Sequence, residues 1–367
     1  MFPEDLKPPV WVLRMGHRPG RDKRVTTHVA LLARSFGARG VLVDRRDERL
    51  HQTVEEVVKR FGGNFALRSG VSPKREVENF PGAVVHLTMY GEPLRWHVKE
   101  LKDEERLLVV VGAEKVPGWV YQKADYNISI SQQPHSEISS LAVFLHELYG
   151  GVEEELSFPG AREVILPAKK GKKVISLEAP PLSELKKEEG WIPDEKEALR
   201  ILVDVGTPPA VISHCLAAME FSKDLLARVS KNVKIDERLL LVGSLLHDVG
   251  RSRSHGIDHG VIGGELLRGL GVDERLAKVA ERHIGAGLDE EDASRLGLPP
   301  KRYVPETLEE KIITHIDNML ADSERVPLST FLERMRKRGL EKVARRALDI
   351  QMELETLLDI KFDELIG

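Results

Sequence analysis

The first 150 residues alternate short apolar runs with amphipathic segments. The apolar runs predict strands at 11–15, 40–43, 83–87, 107–112 and 127–131. Helical spacing of apolar residues predicts helices at 27–36, 53–61 and 136–149, with Ser136 placed to cap the last. Near-continuous Val and Ile runs separated by helices are typical of strands that are buried on both faces. The pattern therefore predicts an α/β domain with a parallel sheet.

The pattern changes after residue 150. Residues 151–178 hold two strand-like runs around a basic turn, and 179–193 are rich in Pro and charge, as expected of a linker. From Asp194 onward the periodicity is almost entirely helical. Thr207 is placed to cap one helix that has Pro in its first turn, and Asp236 opens another. The predicted organisation is a first domain at 1–178, a linker at 179–193, an all-α domain at 194–330 and a helical tail at 331–367.

Composition restricts the partners. The net charge of -4 gives no overall attraction to nucleic acid, so any RNA site must be a local basic patch. Cys215 is the single cysteine of the chain, which excludes an internal disulfide and suits a reducing compartment. The start of the sequence shows no signal peptide, and no apolar stretch approaches the ~20 residues of a membrane span. A cytoplasmic protein without a membrane partner is expected.

The second half contains a cluster of metal-ligand residue types. His247 and Asp248 are adjacent at the end of an apolar helix, where a buried charge needs a partner or a metal. Further candidates are His214, His255, His259, His283 and Asp317. Imidazole with carboxylate favours Mn, Fe, Co, Ni or Zn over an all-oxygen site. Arg251 and Arg253 are candidates for holding a phosphate. The alternative is a set of structural or solvated histidines, which applies most strongly to His255.

The strings HDVGRSRSHGIDHG, ERHIGAG and THIDNML resemble the HD superfamily of metal-dependent phosphohydrolases. That signature is an early His, a His-Asp pair and a late Asp. The resemblance places these ligands at His214, His247, Asp248 and Asp317. It further implies a second metal held by His259 and His283, with His255 as a weaker candidate, and bridged to the first by Asp248. Two metals about 3.5–4 Å apart can activate water and neutralise a phosphoryl oxygen.

The first domain lacks the common nucleotide-binding motifs. Gly16 and Gly20 do not make the glycine fingerprint of a dinucleotide site, and no Walker loop is present. A basic loop follows the first predicted strand instead, which indicates phosphate binding, with a solvated loop as the alternative. Its basic side chains are Arg14, His17, Arg18, Arg21, Lys23, Arg24 and His28. Loops at 86–93, 110–117 and 128–143 carry small or amide residues whose backbone could face a ligand.

The strings RMGHRPGRDKRVTTHVALLARSFGA, VHLTMYG, VVGAEKVP and SISQQPHSEISSLAV resemble the archaeal tRNA cytidine-56 2'-O-methyltransferases of the SPOUT class. The resemblance covers roughly residues 9–175. It implies a trefoil knot in the sheet, a homodimer formed through this domain, and S-adenosyl-L-methionine bound by the knot loops. The residues that it implies for the donor pocket are Leu87, Tyr90, Gly112, Glu114, Val116, Ile130, Gln132 and Ser136.

The catalytic residue is the weakest part of this resemblance. The general SPOUT motif has an Asn followed six residues later by an Arg, just before Phe-Gly. Phe36 and Gly37 are present, but the Asn and Arg places hold Val25 and Leu31. Arg18 and Arg24 are the substitutes, because an arginine can stabilise the developing alkoxide of a ribose 2'-OH. Two functions follow: a methyltransferase with an accessory HD domain, or a metal phosphohydrolase of RNA ends or nucleotides whose SPOUT domain only binds tRNA.

Overall fold

The computed structural model describes residues 1–112, 115–185 and 190–366. These residues form two compact units, Met1–Arg162 and Glu163–Gly367. The predicted boundary at residue 178 lies later in the chain than the division between the two units, which follows Arg162. The difference arises because the second unit, which starts at Glu163, includes the basic hairpin. No helix among the described residues has the length and apolar character needed to cross a membrane.

The first unit is an α/β layer structure. Its elements are β1 (Val10–Met15), α1 (Lys23–Ser35), β2 (Gly40–Val43), α2 (Glu48–Phe61), β3 (Ala66–Ser69), α3 (Pro73–Glu78), β4 (Ala83–Pro93), α4 (Val98–Asp103), β5 (Leu107–Gly112), α5 (Gly118–Lys123), β6 (Tyr126–Ser129) and α6 (Glu137–Tyr149). All strands pair in parallel, in the order β3-β2-β1-β5-β4-β6. The predicted parallel α/β sheet is confirmed.

Burial explains which strands the periodicity could find. The inner strands β1 and β5 consist of residues such as Val12 and Val109 that are fully buried, with helices on both faces. The strand β3 was missed because it lies at the sheet edge, where its ALRS sequence alternates exposed and half-buried residues without an apolar run. Edge strands have this mixed character because one side has no partner.

The strand order brings three loops to one edge. The carboxyl ends of β5, β4 and β6 are neighbours, so the loops after them lie side by side. The β4–β6 ladder is interrupted: Leu87 and Glu92 both pair with Ile128, so residues 88–91 leave the sheet between them. Ligands of open α/β sheets bind outside such carboxyl ends. The order is compatible with the knotted path that the family resemblance implies, and the knot itself stays a prediction.

The second unit is mainly helical. Its elements are β7 (Glu163–Leu166), β8 (Lys173–Ser176), α7 (Glu195–Asp204), α8 (Pro209–Leu226), α9 (Glu237–Leu246), α10 (His259–Gly269), α11 (Glu274–Arg282), α12 (Glu290–Arg295), α13 (Leu308–Asn318), β9 (Leu320–Ala321), β10 (Glu324–Arg325), α14 (Leu328–Lys337) and α15 (Glu341–Leu358). The strands β7 and β8 form an antiparallel hairpin around the basic turn, and β7 packs on α8.

Two helix starts test the capping predictions. Asp236 accepts the backbone N–H of Leu239 at 3.0 Å and caps α9, as predicted. The prediction that Thr207 caps α8 was wrong. Pro208 occupies the cap position and Pro209 the first turn, so with two successive prolines, each with a fixed φ and no N–H, the helix starts two residues beyond Thr207.

Candidate functional site

The proposed metal ligands of the second unit converge from five helices. His214 lies within α8, the pair His247-Asp248 follows α9, and Asp317 lies near the end of α13. His259 begins α10, and His283 follows α11. The helices α8, α11 and α13 all pack against α9, and α10 packs against α11. Residues that are up to 103 positions apart in the sequence therefore meet.

The first group of this His-Asp cluster consists of His214, His247 and Asp317. His214 Nε2 lies 3.0 Å from Asp317 Oδ1 and 3.2 Å from His247 Nε2. His247 Nε2 lies 3.7 Å from the same Asp317 oxygen. The three side chains offer three ligand atoms around one point.

Asp248 lies between this group and a second one. Its Oδ1 is 3.2 Å from His259 Nε2 and 3.3 Å from His283 Nε2, and these two nitrogens are 3.2 Å apart. Its Oδ2 faces the other way, 3.9 Å from His214 Nε2 and 4.0 Å from His247 Nε2. One carboxylate thus presents a separate oxygen to each histidine pair, which is the arrangement that a bridging ligand requires.

Backbone hydrogen bonds fix the tautomer of all four imidazoles. Each ring donates its Nδ1–H to a carbonyl oxygen, and in three of them that carbonyl lies three residues earlier in the chain. The acceptors for His247, His259, His283 and His214 are Ser244, Gly256, Ala280 and Asp322, at 2.8, 2.6, 2.8 and 2.5 Å. Since a neutral imidazole carries one N–H, every Nε2 keeps a lone pair aimed at the cluster. Metal-binding histidines are oriented in this way.

The cluster fits divalent metals better than it fits a metal-free core. Lone pairs of His259 and His283 face each other and the buried Oδ1 of Asp248, which receives no hydrogen bond from any described residue. Neighbouring ligand atoms on a metal, each bound at about 2.0–2.2 Å, lie about 3.0–3.4 Å apart, close to the 3.2 Å seen here. Burial raises the pKa of Asp248 and of Asp317, and without a metal only protonated forms of the adjacent histidines would hold both pKa values well below the ordinary value.

Glycine allows the close approach that builds the second group. A Cβ on Gly250 would lie 1.9 Å from the carbonyl oxygen of His259 and 2.6 Å from the backbone nitrogen of Gly263. Gly260 likewise lies against the backbone of Ala280 at the end of α11. The turn after Asp248 and the helix α10 can therefore touch backbone to backbone, and His259 reaches Asp248.

The neighbouring basic residues have different positions. Arg251 Nε donates to Asp248 Oδ2 at 2.7 Å and lines the cavity beside the cluster, where it could also meet a phosphate. Arg253 donates to the carbonyl oxygen of Val205 at 3.0 Å and does not line that cavity, so its predicted phosphate role finds no support in the geometry. His255 is exposed and lines the cavity.

A cavity of about 980 Å³ opens from the His-Asp cluster. The sequence analysis missed one of its walls, because the tail at 331–367 carries no motif. Phe331, Arg334, Met335 and Arg338, in α14 and just beyond it, line this cavity. The charged and apolar residues of α14 alternate as on any amphipathic helix, so only the tertiary structure shows what they face.

In the first unit, four of the predicted donor-pocket residues lie at the loop edge of the sheet. Leu87 pairs with Val111 of β5 and with Ile128 of β6. Gly112 and Ile130 come just after these two partners, so they lie at the same end of the sheet as Leu87. A Cβ on Gly112 would lie 2.0 Å from the Val116 side chain, so these two residues are in close contact.

The other four predicted residues differ in position. Gln132 is exposed and donates to the carbonyl oxygen of Gly91 at 3.4 Å, and Tyr90 is 79 % exposed. Ser136 caps α6, as predicted, by accepting the backbone N–H of Ile138 at 3.1 Å. Glu114 lies outside the described residues.

The basic loop after β1 is held in place by a buried histidine. His17 Nε2 lies 3.1 Å from Asp47 Oδ2, and its Nδ1 accepts the Thr26 hydroxyl at 2.8 Å. The backbone N–H groups of Gly16 and His17 both donate to the carboxylate of Asp44. These bonds tie the loop to the starts of α1 and α2, so its arginines project from a fixed backbone.

The two candidate catalytic arginines have different surroundings. Arg18 makes a two-pronged pair with Asp22, at 2.8 and 3.0 Å, and this pair holds the pKa of Asp22 below its ordinary value. Arg24 is exposed on the first turn of α1. The Arg24 side chain is accessible to RNA, whereas two N–H groups of Arg18 are held by the Asp22 carboxylate.

Of three buried polar groups near the loop edge, the sequence singled out only Arg14, and only as one cation of the basic loop. Arg14, at the end of β1, is 1 % exposed and pairs with Glu137 through Nη2 at 3.0 Å. Its Nε and Nη1 have no hydrogen-bond partner among the described residues, and the same holds for His86 Nε2 and Ser129 Oγ. Buried groups of this kind are costly unless a ligand or water satisfies them. A sequence offers no sign of such burial.

A parallel sheet with clustered loops and a helical unit with a His-Asp cluster define a two-domain protein that combines an α/β unit with a mainly helical unit carrying a candidate metal centre. Two family models match the chain: tRNA ribose 2'-O-methyltransferase (aTrm56) over residues 61–175 and HD domain over residues 211–322. The chain belongs to the tRNA (cytidine(56)-2'-O)-methyltransferase family, and the resemblance noted in the sequence is confirmed.

The relatives come in two lengths. The protein of that name from Thermoplasma volcanium is 44% identical over 96% of this chain and 99% of its own length. The one from Picrophilus torridus is 40% identical over 97% of this chain and 98% of its own. The one from Archaeoglobus fulgidus is 51% identical, but its match spans 46% of this chain and 98% of its own length. The two-domain arrangement is thus shared with some relatives and absent from others.

Proposed function

We propose that this protein methylates the ribose 2'-OH of cytidine 56 in tRNA, with S-adenosyl-L-methionine as donor. The observation that carries the proposal is the full-length similarity to a tRNA (cytidine(56)-2'-O)-methyltransferase at 44% identity. The adjacent loops at the carboxyl ends of β4, β5 and β6 supply the expected place for the donor. The unsatisfied buried groups His86 Nε2 and Ser129 Oγ fit a polar ligand there.

The donor supplies an electrophilic methyl group, and the chain supplies placement. The proposed pocket residues Leu87, Gly112, Val116 and Ile130 form the part of the edge against which an adenosine would pack. The loop held by His17 presents Arg18 and Arg24 to the RNA, and one of these guanidinium groups stabilises the ribose oxygen as it loses its proton. Reacting atoms must be held about 3–3.5 Å apart, so a fixed loop backbone is an advantage.

The activity can be tested with tritiated donor and an unmodified tRNA transcript. We expect one methyl group per tRNA, located at position 56. The matched control is a ligated tRNA whose only change is 2'-deoxycytidine at position 56, which has no hydroxyl to accept the group. Methylation of the control at the same rate would contradict the site assignment. Tight tRNA binding with no transfer to either RNA would favour a domain that only binds tRNA.

We further propose that the domain assembles as a homodimer in the cytoplasm. Tyr90 and Trp96 are exposed apolar side chains on the first unit, at 79 % and 62 %, and large exposed aromatics of this kind are typical of interfaces. Sedimentation equilibrium of the full chain tests this, and a concentration-independent monomer mass would contradict it.

The HD domain is the basis for a second activity, metal-dependent hydrolysis of phosphate esters. The observation that favours it is the set of four imidazoles whose Nδ1–H groups are all committed to carbonyl oxygens. We propose that His214, His247, Asp248 and Asp317 hold one metal, and that His259 and His283 hold a second one that Asp248 bridges. The donor set suits Mn, Fe, Co or Ni. Such metals activate water and neutralise phosphoryl charge, and Arg251 is placed to hold the phosphate.

Metal content and activity should be measured on the same protein. After purification with Mn, Fe, Co or Ni supplied, we expect about two metals per chain and turnover of bis(4-nitrophenyl) phosphate or 4-nitrophenyl phosphate. Fewer than one metal per chain under all four conditions would contradict the metal site. Full occupancy without turnover of any phosphoester would leave a structural metal site and withdraw the hydrolase.

A further inference from the structure

Two basic segments border the cavity of the HD domain. One is the turn of the β7–β8 hairpin, where Lys169, Lys170, Lys172 and Lys173 are all exposed and Lys169 lines the cavity. The other is the end of α14, where Arg334, Arg336, Lys337 and Arg338 are exposed and two of them line the cavity. The sequence analysis assigned no function to either segment.

These segments form a local basic surface on an acidic protein. The chain carries a net charge of -4, yet each segment holds four cations within five residues. Lys169 pairs with Glu324, and Arg334 lies over the ring of Phe331. Lysines spaced along an exposed turn attract a row of phosphates, whereas the single phosphate of a free nucleotide can occupy only one of the two segments.

The cavity between the basic segments and the His-Asp cluster has an apolar wall. Phe331, Met335, Leu340 and Val343 line it, and all four belong to α14, to α15 or to the turn between them. At about 980 Å³ the cavity lies at the upper end of the ~300–1,000 Å³ range of small-ligand sites. Bases pack on such surfaces without sequence preference, because every base has an apolar face.

We infer that the HD site acts on the phosphorylated end of a single RNA strand. The inference rests on the proposed hydrolase activity and names its substrate class. The terminal phosphate lies at the His-Asp cluster, the last base packs on the wall formed by Phe331 and Met335, and the following phosphates run along the lysine turn. In the reaction, water adds to phosphorus and the P–O bond to the ribose breaks. The ribose oxygen takes a proton from the water, giving a terminal hydroxyl and inorganic phosphate.

Activity is measured on the full chain loaded with Mn. The substrates are a 12-nucleotide RNA with a 3'-phosphate, the same RNA with a 5'-phosphate, and cytidine 3'-monophosphate. We expect kcat/KM for one of the two RNAs to exceed that for the mononucleotide at least tenfold at low salt. The two RNAs decide which end is used.

Binding is measured separately, on metal-free protein, by fluorescence anisotropy of the labelled RNA. The double variant Lys170→Ala/Lys172→Ala should weaken binding, and it should reduce the slope of log Kd against log salt by about 1.4, at about 0.7 for each lost contact to a single strand. The matched control is Lys231→Ala/Lys234→Ala, two exposed lysines that belong to neither basic segment, which should change neither quantity. Arg334→Ala/Arg338→Ala tests the second basic segment in the same way.

The outcomes separate the two proposals. Equal kcat/KM for RNA and mononucleotide, or unchanged RNA binding in both double variants, would overturn the RNA-end inference and leave the hydrolase intact. Absence of turnover on every phosphoester by protein that holds two metals would overturn the hydrolase and the inference with it. A tenfold RNA preference that falls in the lysine variant, with the control unchanged, would support both.

Discussion

Gly250→Ala is expected to remove the second metal from the HD domain while the first remains. The added Cβ would lie 1.9 Å from the carbonyl oxygen of His259, whereas ordinary contact begins near 3.4 Å, so the backbones must separate by 1.5 Å (3.4 minus 1.9). A metal-ligand distance tolerates about ±0.2 Å. The His259 side chain would therefore move too far to bind the second metal together with His283 and Asp248. His214 and Asp317 lie on α8 and α13, and the atoms nearest to the added Cβ belong to α10.

The same clash predicts a loss of stability. Overpacking typically costs about 1–3 kcal/mol, and the upper part of this range applies here because the contacting atoms are backbone and cannot rotate away. A cost of about 2–3 kcal/mol corresponds to a Tm lower by about 4–12 °C for a domain of some 200 residues. The matched control is Gly269→Ala at the end of α10, where a Cβ meets nothing within 4 Å. That change should be neutral or stabilise by up to about 1 kcal/mol.

The assay combines metal analysis with thermal unfolding of the HD domain, and methyl transfer serves as an internal check on overall folding. If Gly250→Ala fails to fold, Gly263→Ala provides a milder version, because its Cβ would lie 3.2 Å from Gly250 and 3.3 Å from Ala280. Retention of two metals at wild-type affinity and an unchanged Tm in Gly250→Ala would refute the claim that this backbone contact positions His259.

Three further predictions concern single sites and the domain boundary. Asp248→Ala should remove both metals and His283→Ala only the second, as measured by metal analysis, with methyl transfer unchanged in both; loss of equal metal in the two variants would exclude a bridging role. Arg18→Ala and Arg24→Ala should each lower the rate of tRNA methylation strongly, keep the donor affinity measured by calorimetry, and flatten the salt dependence of tRNA binding by about one unit per contact; normal methylation by both would show that the catalytic assignment is wrong. A fragment of residues 1–178 should fold, dimerise and bind the donor, and a folded fragment without donor binding in calorimetry would contradict this.

The sequence predicted the sheet well because burial leaves a direct trace in it. Strand β5 is buried on both faces and appears as an unbroken apolar run, and β1 is interrupted only by Arg14, whereas β3 is half exposed and leaves no such run. The start of α8 was placed one residue early, because Thr207 has the residue type of a cap but precedes two prolines. Local rules fail where two signals compete for the same position.

The candidate sites likewise contain residues that the sequence could identify and residues that only the fold reveals. His247 and Asp248 are adjacent in sequence and could be singled out as a pair, and the family pattern supplied the distant partners. Arg14 could not be separated from the other cations of its loop, because only the fold shows that it is buried with two unsatisfied nitrogens. The cavity wall from α14 could not be predicted either, since it depends on how the tail packs.

The two lengths among the relatives constrain what the HD domain contributes. The Archaeoglobus fulgidus protein shares the methyltransferase name, although 98% of its length matches less than half of this chain. If methyl transfer needs only the first domain, the HD domain adds a separate activity and does not contribute to the methyltransferase site. A tether between two domains raises the effective concentration of a shared ligand at the second site. A tRNA bound by the first domain has strand ends of its own. The tether therefore favours RNA ends as substrates of the phosphoester site that the lysines border.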